Sequence, residues 1–384
     1  MKKILFVAST LSHIENFHIP YLKEFKEKGF SVHIIGKINN KTDIPYVDKI
    51  IPIKFEKNMF SIKNFHNSIK IRKLIKKENY NIIYLHTTLA AFFTRLSIMM
   101  LFKKPELTIN TVHGYLFDDN TKFIKKSIMI LAEKFVKCVT DTIIVMNSTD
   151  YNIAKKYNLF KNNLHLINGM GITLENFPLI NKDKKLLLRK ENNFSDKDFI
   201  LIYVAEFSKR KNQIFFINSL KKLIDEGFSD VKLLLLGDGK MFDYIKSYSD
   251  ELGISDNIIF TGYTKKTCMY YQLSDVCVSS SRIEGLPFNI VEAMSTGLPV
   301  VASNIKGHSD LVKKNKNGYL FEYNNADEFC NYIKKIYCNK ELQYEMRICS
   351  SETSKKYALQ SVLDHTVDII SDEYSSINHN NINI

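Results

Sequence analysis

Glu284 and Glu292, with seven residues between them, bracket a segment that reads as the entry to a helix. A short apolar run ends near Ser279 just before it. Gly285 then allows an unusual backbone conformation, and Pro287 suits the first turn of a helix running to about Thr296. Such a helix start would present the N–H groups of Phe288, Asn289 and Ile290, and together with the positive end of the helix dipole these favour a diphosphate. A carboxylate accepts two hydroxyl protons at once, so one glutamate suits the vicinal hydroxyls of a ribose and the other those of a sugar. Spacing alone also allows a plainer reading, in which Glu292 is an ordinary helix former and Glu284 a solvated loop residue.

The stretch 284–301, EGLPFNIVEAMSTGLPVV, resembles the signature of retaining glycosyltransferase family 4, where a Glu-x7-Glu motif leads into an EAM-x-x-G-x-PVV helix and strand. The resemblance implies that Glu292 binds the donor ribose and that Glu284 lies at the donor sugar. A second segment, VAEFSKRKNQ at 204–213, is similar to the family's diphosphate loop, in which an arginine follows the strand's valine by two residues and a lysine comes five further on. Lys211 matches the lysine, but Glu206 stands where the arginine is usual. Either Glu206 turns away to pair with a base, or Arg210 or Lys209 supplies the charge; a solvated basic loop is the plainer alternative.

NTVHGYLFDD at 110–119 resembles the strand-to-loop segment of family members acting in surface polysaccharide assembly, which gives His113 a contact with the donor sugar. Outside the family, a lone histidine after a strand is more often structural. HTTLAAFFTR at 86–95 and the early loop 9–17 resemble acceptor-side positions. They leave His13, His86 and Arg95 open between cleft residues and ordinary packing or surface groups. LLLLGDGKM at 233–241 matches a family strand and G-D-G turn whose glycines set the turn.

These segments need elements to position them. Short Ile, Val and Leu runs alternate with amphipathic, lysine-bearing stretches, the pattern of a doubly wound α/β sheet. Strands are expected at 4–8, 31–35, 82–85, 108–112, 142–145 and 164–167, with helices between them such as 62–77. After an irregular 168–182 the pattern restarts, with strands at 199–204, 231–236, 258–260, 276–279 and 299–302. Two such arrays imply two Rossmann-like domains with a cleft between them, and ligands beyond the C-terminal strand ends. The resemblance, which runs from residue 2 to about 374, names the fold GT-B, two doubly wound domains facing across a cleft. The expected division is 1–175 for the acceptor, 176–358 for the nucleotide sugar, and 359–384 for a helix crossing back to the first domain, frayed after Ser371.

Composition sets the remaining bounds. The 384 residues are 45% apolar and 25% charged, within the range of globular domains. The apolar run 4–8 is too short for a secretory signal, and 89–102, interrupted by Arg95, is too short to span a bilayer. The six cysteines show no CxxC spacing and no zinc-finger histidines, so reduced thiols in a cytoplasm are the expectation. The net charge is +13, and residues 1–180 hold 27 Lys+Arg against 14 Asp+Glu while the remainder holds 27 of each. A basic first half suits an anionic partner such as a membrane face or a phosphorylated acceptor; codon bias toward lysine would give the same count.

No Asp-x-Asp motif is evident, Asp118-Asp119 being adjacent, so no metal and no cofactor are expected beyond the nucleotide diphosphate sugar as co-substrate. The resemblance implies uridine as the base, attack by the acceptor hydroxyl from the leaving-group face, and retention. The expected partners are a sugar donor, a lipid-linked or soluble glycan acceptor and an anionic membrane surface. The expected place of work is the inner face of the cytoplasmic membrane. A nucleotide-sugar epimerase of the same fold is the nearest rival. A nucleic-acid-binding protein lacks a binding motif, and a periplasmic binding protein lacks an export signal.

Overall fold

The computed structural model describes residues 1–38, 43–118 and 121–380. The chain forms two units, one of residues 1–171 and 360–384 and the other of residues 172–359.

The first unit is built on a seven-stranded sheet. Its strands are β1 (Lys3–Thr10), β2 (Ser31–Lys37), β3 (Lys49–Pro52), β4 (Ile82–His86), β5 (Leu107–Val112), β6 (Thr142–Val145) and β7 (Asn163–Leu166). They lie in the order β3-β2-β1-β4-β5-β6-β7, all parallel. A parallel sheet is covered by helices on both faces, so its central strands can be apolar throughout. ILFVA of β1 and IIYL of β4 are buried along their whole length.

The second unit repeats the plan with six strands: β8 (Phe199–Val204), β9 (Val231–Leu236), β10 (Ile258–Gly262), β11 (Val276–Ser279), β12 (Val300–Ser303) and β13 (Gly318–Phe321). Their order is β10-β9-β8-β11-β12-β13, again parallel. Phe215, Phe216, Phe321 and Phe329 pack ring on ring in its core. In each sheet the strand order reverses once, between β1 and β4 and between β8 and β11. Such a reversal opens a crevice beyond the C-terminal strand ends, because the helices on either side leave in opposite directions.

Two strands absent from the sequence reading, β3 and β13, are four-residue edge strands. The helix Leu359–Asn380 packs on the first unit. Glu373 accepts hydrogen bonds from Asn163 and pairs with His165 of β7, and Tyr374 lies edge-on to Phe30 at 6.1 Å. These contacts explain why the chain stays helical past Ser371, where the sequence suggested fraying. No described helix is long and apolar enough to cross a membrane.

Candidate functional site

In the second unit, the loops after β8 and β11 meet at the strand-order reversal. The Glu284 carboxylate is the meeting point: Lys211 Nζ donates to its Oε1 at 2.5 Å and Arg210 Nη1 to the same oxygen at 3.0 Å. Lys211 and Glu284 are both mostly buried, whereas Arg210 reaches solvent. Burial pushes the Glu284 carboxyl up, but Lys211 and Arg210 outweigh it and leave it below the usual carboxylate range. Burial likewise lowers the Lys211 amine, against the pull of Glu284. Of the two bases weighed for the missing charge, Arg210 is the one that stands beside Lys211 at Glu284. Lys209 and Glu206 are exposed, and Glu206 is tied by its carbonyl to the Gln213 amide at 2.9 Å.

The backbone around these cations is fixed from below. Ser280 Oγ donates to the carbonyls of Lys211 and Asn212, Tyr203 donates to that of Lys211, and the Arg282 N–H donates to that of Arg210. Gly237 and Gly239 let the turn after β9 approach the same loop. A Cβ at Gly237 would stand 2.1 Å from the Ala205 carbonyl oxygen, and one at Gly239 2.4 Å from that of Phe207. They support the loop that carries Lys211, a role beyond the turn-setting one that the sequence suggested. Gly307, at φ +82°, backs the Gly285 side: a Cβ there would meet the Gly285 oxygen at 2.4 Å.

The helix Phe288–Ser295 begins one residue later than Pro287 suggested, because Pro287 is its cap in an extended conformation. Pro287 itself provides no side-chain cap. The Ile290 N–H is engaged by the Pro287 carbonyl at 3.2 Å and its side chain is fully buried, so Ile290 is a packing residue and not an anion donor. Asn289 donates its amide to the Val204 carbonyl at 2.9 Å, pinning the helix start to the end of β8. Glu292 sits one turn in. Burial raises its carboxyl, and the Tyr271 hydroxyl donates to it at 3.2 Å, which draws it back.

The first unit gathers histidines at its own strand-order reversal. His86 is the last residue of β4 and His113 follows β5, while His13 and His18 come from the two short helices after β1, Leu11–Phe17 and Ile19–Glu27, with His18 at their junction. His86 Nδ1 lies 3.2 Å from His113 Nε2. The rings of His18 and His86 are centred 3.9 Å apart, and those of His13 and His113 4.6 Å apart. Burial holds all four below the ordinary histidine value, His13 at about 4. Thus His13, His86 and His113, proposed separately from three segments, belong to one cluster. Arg95 does not join it. Buried in the helix Thr88–Met99, it donates to Glu133 at 2.8 and 3.1 Å and ties that helix to Phe123–Val136. Asp119 lies outside the described residues.

Sequence reasoning missed His18, Tyr271, Gly307 and His308. Only His18 carried a signal, a second histidine five residues after His13. His308 is a neutral, buried support for the Glu284 loop, bonded to Ser303 and Ser279.

Comparison with known proteins places this arrangement. Residues 184–350 match the family described as glycosyl transferases group 1, and residues 3–147 match glycosyl transferase 4-like. The chain is 30% identical to the EpsD protein of Bacillus subtilis over 98% of its own length and 97% of that protein's. It is 26% identical to a UDP-Gal:alpha-D-GlcNAc-diphosphoundecaprenol alpha-1,3-galactosyltransferase of Escherichia coli, with 94% of each chain covered. Among solved structures, Anabaena Alr3699/HepE in complex with UDP superposes with a TM-score of 0.78 at 16% identity, over 97% of this chain and all of that one. Sucrose-phosphate synthase of Thermosynechococcus elongatus gives the same score and identity over 98% of this chain and all of that one.

Proposed function

The chain belongs to the group 1 glycosyltransferases, with a family 4-like first unit and the GT-B class of fold, and from that premise we propose a specific reaction. The enzyme moves a hexose or N-acetylhexosamine from a nucleotide diphosphate sugar, with UDP as the nucleotide, to a lipid-linked glycan, retaining configuration at the anomeric carbon. The observation that carries this reading is the single Glu284 oxygen shared by Lys211 and Arg210, one loop before the start of the helix Phe288–Ser295. Two cations held at a buried carboxylate are positioned before the donor arrives, so they need little reorganisation when charge grows on a leaving diphosphate. That charge falls to Lys211, Arg210 and the helix start, and no divalent ion is assigned to it.

Glu292 takes the ribose hydroxyls and Glu284 the donor sugar. His113 keeps the donor-sugar contact that the resemblance gives it. The acceptor hydroxyl attacks from the leaving-group face and passes its proton to a diphosphate oxygen. The acceptor class follows the Escherichia coli relative, whose name specifies a sugar on diphosphoundecaprenol. The test is incubation with a panel of nucleotide sugars and GlcNAc-diphosphopolyprenol, with the product's anomeric coupling read by NMR. One elongated α-linked product from an α-linked donor supports the proposal. Inversion would refute retention, and sugar interconversion without acceptor would favour the epimerase reading.

Work at the inner face of the cytoplasmic membrane is part of the same proposal. On the helix Phe123–Val136, the residues Ile124, Ile128, Leu131 and Phe135 recur at helical spacing and are all exposed, as is Phe123. Lys122, Lys125 and Lys134 lie along the same helix or at its start. An outward apolar stripe with flanking lysines suits an anionic lipid surface, and each basic residue there contributes about 1 kcal/mol. Co-sedimentation should show binding to anionic vesicles that fades with salt and with Ile124→Ser/Leu131→Ser. Equal indifference to anionic and neutral vesicles would end the membrane reading and leave the transfer reaction standing.

A further inference from the structure

The histidine cluster of the first unit has a property that glycosyl transfer does not require. Among the described residues, both nitrogens of His18, Nε2 of His13 and Nε2 of His86 are buried with no hydrogen-bond partner. His18 and His86 are 0% exposed. A neutral imidazole carries one donor and one acceptor, and each left unmade in a buried place costs about 1–3 kcal/mol. Four such nitrogens in three touching rings are an unusual concentration in one pocket, since buried polar atoms in native proteins almost always find partners.

The topology explains why these rings meet. In a parallel sheet the C-terminal ends of adjacent strands share one edge, and β1, β4 and β5 are neighbours. Their following residues deliver His13 and His18, His86, and His113 to one spot. One ligating atom from each of the four lies within 4.8 Å of the others. Around a tetrahedral zinc with Zn–N bonds of about 2.0–2.1 Å the ligand atoms stand about 3.4 Å apart. His86 Nδ1 and His113 Nε2 share a hydrogen bond at 3.2 Å, close to that separation, which ligation of a common ion would replace. The remaining ligand atoms, within 4.8 Å of one another, would have to close on the ion by side-chain rotation.

We propose that His13, His18, His86 and His113 form a binding site for one zinc-class divalent ion in the first unit. Four neutral nitrogens with no carboxylate or thiolate among them select such an ion over magnesium or calcium, which require oxygen ligands. The sequence reading expected no metal because it looked for cysteine pairs and Asp-x-Asp, and these ligands come from three separate segments. His113 has a second ring nitrogen, so ligation through Nε2 leaves Nδ1 for a sugar hydroxyl. The inference shares His113 with the transfer reading, but the cationic cluster at Lys211 belongs to the other unit, so zinc uptake is measured without the reaction.

The test uses the full chain, dialysed against chelator and then titrated with zinc chloride alone, with bound metal counted by elemental mass spectrometry and the melting temperature followed. One equivalent per chain and a raised melting temperature are expected. Cobalt chloride alone should give the intense visible absorption of a tetrahedral site. His18→Gln and His13→Asn should each weaken zinc binding by at least about 100-fold, more than the loss of a group behind the ligands causes. His66→Ala, exposed and outside the cluster, should match wild type. His13 is only half-buried, so its variant keeps the test decisive if His18→Gln does not fold. Folded wild type that takes up no zinc, or uptake undiminished in both cluster variants, would overturn the proposal.

Discussion

The two units treat buried polarity in opposite ways. In the second, Lys211, Arg210 and Glu284 are charged and each has its partner, and the backbone beneath them is bonded at every turn. In the first, the cluster consists of buried imidazoles, several of whose nitrogens have no hydrogen-bond partner among the described residues, while the charged pair Arg95–Glu133 nearby in sequence is sealed into helix packing. The difference separates two uses of polar groups at the same topological position. A site that stabilises charge must be organised and paired before its ligand arrives, because reorganisation during the reaction wastes the interaction. On the zinc proposal, the unpaired imidazoles of the first unit are completed by the ion they bind.

The largest effects should divide along this line. Arg95→Met strands the Glu133 carboxylate in a nearly dry setting and should destabilise the fold by about 3–5 kcal/mol in urea unfolding, with UDP affinity of the surviving folded protein unchanged. Loss of UDP binding without loss of stability would return Arg95 to the ligand side. Lys211→Ala should do the reverse, lowering kcat by about 10² to 10³, the usual consequence of removing one transition-state donor. Lys209→Ala, an exposed neighbour, should stay near wild type.

Smaller changes probe the supports. Gly307→Ala forces a side chain into φ +82° and against the Gly285 carbonyl, and should cost about 1–3 kcal/mol while raising KM for the donor. Unaltered stability and KM would mean that the Glu284 loop is held elsewhere. Tyr271→Phe removes the hydroxyl that donates to Glu292 and should weaken donor binding by about 0.5–1.5 kcal/mol. Its pH dependence is the sharper readout. Only the carboxylate accepts two ribose hydroxyls, so affinity holds above the raised pKa of Glu292 and is lost as pH falls through it. Because the tyrosine draws that pKa down, its loss should move the acid limb to higher pH. A limb that stays in place would detach Glu292 from the ribose.

Much of this was legible in the sequence because buried parallel strands are continuous apolar runs and their loops carry the motifs. The edge strands β3 and β13 were not, since four residues with a polar or glycine start give too little pattern. Glu284, Lys211 and Glu292 could be found because they fall in two compact motifs. Tyr271 and Gly307 act on those motifs from separate segments, through contacts that only the folded sheet creates. The Ile290 amide was misread for a related reason: the sequence of a helix start does not show which N–H groups a local bond, such as that to Pro287, already engages. The helix beyond Ser371 is held by Glu373 and Tyr374, whose partners lie more than 200 residues away or near the N-terminus.

On the function proposed above, the second unit holds a nucleotide diphosphate through Lys211, Arg210 and Glu292 without help from a divalent ion. Isothermal titration of the full chain with UDP, in excess chelator and again with magnesium, tests it most directly. The account predicts saturable binding of equal affinity in both conditions, weakened by Glu292→Ala and by Lys211→Ala. Binding that appears only with magnesium, or that both variants leave untouched, would contradict it.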